Sequence, residues 1–123
     1  MESKYLDQIR NITAEDDVER AKKIADIVMS TNESISATPN FAKEVRTVLI
    51  ILIVSEGFSA HLYHNVMSMS WVQKQLFDFD KYNVVSEKDK DQAISFFNSA
   101  HIMALEGMLC TVFGMEYSGE TCG

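Results

Sequence analysis

Residues 102–115 carry one charged side chain, Glu106, in fourteen positions. Wound into a helix, such a stretch shows apolar side chains around its whole circumference, so it belongs inside a fold. Residues 45–54, and again 62–72, have the same character. The β-branched run at 48–54 is short enough to suit a strand, and periodicity alone does not decide so short a segment. No second convincing strand is available to pair with it, and its flanks, 41–47 and 59–66, read as helix. Five glycines and one proline in 123 residues also supply too few turns for a β-sandwich.

The sequence therefore predicts an all-α protein: a four-helix bundle-like domain built on a long central antiparallel hairpin, with two shorter amphipathic helices before it. The first helix covers 2–12, where Leu6, Ile9 and Ile12 share a face beside Tyr5. The second covers 14–30, opened by Thr13 as cap with Asp16 three residues on. In it Ala14, Val18, Ala21, Ala25 and Val28 form one stripe, flanked by Ile24 and Ile27. Residues 31–38 read as a loop. Thr38 and Pro39 open the third helix, which runs to about residue 76 with a possible kink at Gly57 or at Ser68–Ser70. Residues 78–83 turn, Ser86 caps the fourth helix, and that helix covers 87–116. The domain spans 1–117, with a tail at 118–123.

Charge excludes several functions. The net charge is −7, and the Lys and Arg residues are scattered. Nucleic-acid binding needs a basic stripe to neutralise phosphates, and an anionic membrane repels such a chain. A basic protein partner fits better. Mimicry of nucleic acid is a further alternative, although Lys and Arg interrupt the acidic residues. The longest purely apolar run, 48–54, falls far short of the ~20 residues that a membrane helix needs. No apolar signal region follows Met1. Cys110 reads as a small buried hydrophobe and Cys122 as a free exposed thiol, with no disulfide framework. Together these point to a cytoplasmic protein in a reducing compartment.

The two N-terminal helices carry only narrow stripes and cover one side of the hairpin. The rest of its apolar surface calls for another copy of the chain, two-fold self-association being the commonest solution. Ala93, Ala100, Gly107 and Gly114 recur every seven residues, a small-residue face that lets a second helix approach closely. Met67, Met69, Met103, Met108 and Met115 lie on the same helices and read as core filler in preference to a binding face.

Catalytic signatures are lacking. No Gly-rich phosphate loop, nucleophile elbow or basic recognition helix is present. Asp16-x-x-Glu19 imitates half of the acidic pattern with which all-helical pyrophosphohydrolases hold magnesium, but no Glu-x-x-Asp follows. A hairpin turning near Tyr82 would set His64 level with His101 and gather Glu56, His61, His64, His101 and Glu106 into one layer suited to zinc, iron or manganese. This layer is the alternative to core or surface histidines; the leading expectation has no metal or other cofactor. The di-iron class is excluded, because the Glu-x-x-His pairs it uses are missing.

The expected function is that of a non-enzymatic interaction protein: an adaptor, assembly chaperone or inhibitor that self-associates and binds an unknown protein. Trp71, Phe77, Phe79 and Tyr82 are the candidate partner-binding aromatics. Closure of the hairpin end explains the same cluster equally well.

Overall fold

The computed structural model describes residues 4–114, and among these every regular element is helical. The helices are α1 (Lys4–Arg10), α2 (Asp17–Met29), α3 (Glu33–Ser36), α4 (Pro39–Glu56), α5 (Ala60–Asn65), α6 (Met69–Asp78), α7 (Glu87–Phe96) and α8 (Ser99–Val112). The all-α class is as expected, and the long third and fourth helices are divided into three and two pieces.

Local chemistry places each break. Helix α2 starts at Asp17, not at Ala14, because Asp16 is its cap. The Asp16 carboxylate accepts the Glu19 N–H at 2.7 Å, and the Glu19 carboxylate accepts the Glu15 N–H at 3.1 Å. The Asp16-x-x-Glu19 pattern is thus a helix start and not half of a magnesium site. Thr13 serves the same corner with its carbonyl, which accepts Lys23 Nζ at 2.6 Å. In the expected loop at 31–38, Asn32 caps the single turn of α3 through the N–H groups of Ser34 and Ile35, and Ile35 is buried.

Helix α4 begins at Pro39 as expected and stops at Gly57, whose φ of +80° suits a residue without Cβ. The chain restarts as α5, then as α6, where the Ser68 hydroxyl accepts the Trp71 N–H. Ser86 caps α7 through the Asp89 N–H, also as expected. The break between α7 and α8 was not foreseen. The two helices meet at 104°, with neither glycine nor proline at the corner. Asn98 instead caps α8, its side-chain oxygen accepting the Ala100 N–H at 2.8 Å.

Helix α4 is the hub. It packs against α2, α3, α6, α7 and α8, and Val45 and residues 48–53 are all buried. The excess apolar surface expected on this helix is therefore shielded by the chain itself. Helix α8 buries Leu105, Met108, Leu109 and Val112 against α1, α2, α4 and α5. Among the described residues no single helix is long and apolar enough to cross a membrane; α7 and α8 reach that length only together, across their corner.

Cys110 is buried as expected, but it is disulfide-bonded. The expectation of a chain without disulfides is corrected accordingly. Cys122, Met115 and the tail at 118–123 lie outside the described residues.

Candidate functional site

The densest polar arrangement inside the fold joins α4 to the start of α8. His101 is 2% exposed and Glu44 9%. The Asn98 backbone N–H points at His101 Nδ1, 3.1 Å away, so this nitrogen accepts and the ring proton sits on Nε2. Nε2–H then donates to Glu44 Oε1 at 2.9 Å. The imidazole packs against Phe41 and Phe97, with ring centroids 4.6 Å and 5.5 Å away. Both ring nitrogens are therefore committed, one to the cap of α8 and one to α4. The group is a buried tie between two helices, with no nitrogen left over for a ligand or substrate.

The expected metal layer does not form. Helix α4 lies against His101 with Glu44, and α5 carries His61 and His64 exposed on the surface. Glu56, the last residue of α4, is exposed, and Glu106 is half-buried on α8. Among the described residues no three His, Cys, Asp or Glu side chains come together to hold a metal ion. Dividing the third helix at Gly57 removed the register on which the layer depended.

The aromatic cluster is split. Phe79 is buried at the C-terminus of α6 and Trp71 is half-buried against the core, whereas Phe77 is 67% exposed and Tyr82 46%. Lys90 explains the position of Tyr82. This buried lysine donates to the Phe79 carbonyl at 2.9 Å and to the Tyr82 hydroxyl at 3.4 Å, and its ammonium lies 5.3 Å from the Tyr82 ring centre. Sequence reasoning passed over both Lys90 and Glu44.

The small-residue stripe is also divided. Ala93 is buried on α7, and Ala100 and Gly107 fall on α8 beyond the corner. Gly114 lies past the end of α8 with a φ of +68°. It therefore ends the helix and does not lengthen the face. What remains is a shorter outward face on α8. Ala100 and Thr111 are exposed, and Met103 is 63% exposed. A Cβ at Gly107 would meet nothing within 4 Å. Phe96, at the corner, is 57% exposed. No charged side chain belongs to this set.

No protein-family model matches the chain, and neither a curated protein nor a solved structure matches it.

Proposed function

We propose that this chain is a non-catalytic interaction module that pairs with a second copy of itself through the outward face of α8 and binds another protein in that form. Gly107 is the observation that carries the proposal. Glycine within a helix costs ~1 kcal/mol relative to alanine, and nothing in the chain itself crowds this position. Close approach by a helix from outside the chain gives the glycine a use.

The neighbouring residues fit a two-fold, antiparallel contact. Centred on Met103 and Ala104, it sets Ala100 of one copy against Gly107 of the other, small against small. The face is uncharged, so two copies of a chain with net charge −7 can meet there without opposing like charges. Exposed Phe96 and Met103 supply apolar area and a side chain that adapts to its surroundings. The non-catalytic part of the proposal draws on the Glu44–His101 pair, whose imidazole nitrogens are both taken up internally.

Light scattering on the purified protein tests the pairing. The expected result is the molar mass of a dimer, reduced to that of a monomer by Met103→Glu, with unchanged helical circular dichroism. A wild-type protein that stays monomeric at high concentration removes the proposal.

A further inference from the structure

A cleft of about 280 Å³ opens between the first turn of α2 and the last turn of α4. This is close to the lower limit of ordinary small-ligand sites, ~300 Å³. Its apolar lining comes from Ile24, Ile53, Val54 and Phe58, and Asp17 and Arg20 add one negative and one positive group. Neither of these two side chains takes an ion-pair or hydrogen-bond partner among the described residues, although Arg20 is half-buried. Among the other charges on these two helices, Lys23 pairs with Glu19 at 3.1 Å and Arg46 with Asp26 at 2.7 Å, whereas Lys22 and Glu56 take no such partner among the described residues.

Asp17 opens the 13-residue α2, and Ile53, Val54 and Gly57 belong to the closing turn of the 18-residue α4. A ligand held here meets a carboxylate-binding group, an ammonium-binding group and a small apolar floor.

We propose that this cleft binds a zwitterion with an apolar side chain, namely a free aliphatic or aromatic α-amino acid. Arg20 takes the carboxylate, Asp17 takes the ammonium, and the side chain rests on Ile53, Val54 and Phe58. A purely anionic ligand would leave Asp17 opposed, and a purely cationic one would leave Arg20 opposed. Only a molecule with both charges uses the whole lining.

Titration of the ¹⁵N-labelled full chain with L-leucine, L-isoleucine and L-phenylalanine tests this. At least one of them is expected to produce saturable shifts at the amides of Asp17, Arg20 and Gly57. Isoamylamine and 4-methylpentanoate, which each keep only one of the charges of leucine, are expected to bind at least about tenfold more weakly, as are Arg20→Gln and Asp17→Asn with leucine. The absence of saturation by all three amino acids overturns the proposal, and so does equal binding by the single-charge analogues. Met103→Glu is expected to bind as the wild type does, so failure of the cleft and failure of the α8 pairing are separable results.

Discussion

Glu44 shows what one side chain in an apolar stripe commits the fold to. It lies three residues after Phe41 and four before Val48, on the inward face of α4. A carboxylate there needs a donor, and His101 supplies it. Glu44→Gln keeps an oxygen that can accept from Nε2–H, whereas Glu44→Ala leaves the buried imidazole donor unsatisfied. Urea denaturation should therefore find the alanine variant less stable by about 1–3 kcal/mol and the glutamine variant intermediate. Equal losses would contradict the assigned tautomer. Lys90→Met retains the aliphatic stem but deprives the Phe79 carbonyl of its donor, for which a similar loss of about 1–3 kcal/mol is expected. Both positions were legible in principle, since each is a charged residue at an inward register. Glu56 and Glu106 drew attention because their neighbours in sequence are apolar, but burial follows the helical face and not the neighbour.

At the scale of elements, caps decide where helices begin, and the sequence discloses some caps better than others. Pro39, Gly57 and Ser86 each act through their own backbone or side chain, and each appears in the structure where the sequence placed it. Asn98 is different. It interrupts a run that would otherwise continue as helix, and its partner in the cap is a histidine, not the usual Glu or Gln. Asn98→Ala should cost ~1 kcal/mol, read by thermal or urea unfolding. A gain in stability would mean that the corner is held by packing alone. At the start of α2, the Glu15 N–H and then Lys23 hold the Glu19 carboxyl below the ordinary glutamate range. A depressed value in the folded chain means stability present above the unfolded-state pKa and lost as pH falls through the folded-state pKa. The melting-temperature difference between wild type and Glu19→Gln should accordingly be visible near neutrality and vanish in acid. It should be small and sensitive to salt, because the group is at the surface.

For the whole molecule, the sequence established the class of the fold and overstated its apolar surplus. Reading two unbroken helices left the third helix looking uncovered. In the structure the breaks fold the chain back on itself, and α4 is enclosed by five neighbouring helices. Among the described residues the surplus that remains is confined to a few positions, of which Met103 lies one turn from Gly107 on α8. Gly107→Ala separates the isolated fold from the assembly. Alanine should stabilise the single chain by up to ~1 kcal/mol, since its methyl group meets nothing. If a second helix packs there, the same methyl group should weaken dimerisation. A variant that is both more stable as a monomer and more tightly dimeric would mean that the contact lies elsewhere.

The right-angled corner at Asn98 also settles a question of size. Drawn out as one rod, residues 87–112 would measure about 39 Å at the rise of an α-helix. A chain of this length packs into a body only about 35 Å across. An unbent rod would project beyond such a body and carry greasy side chains into water at its tip. Folding it at one asparagine yields two legs that both pack against α4, so that the rod fits within the body at the cost of a single polar joint.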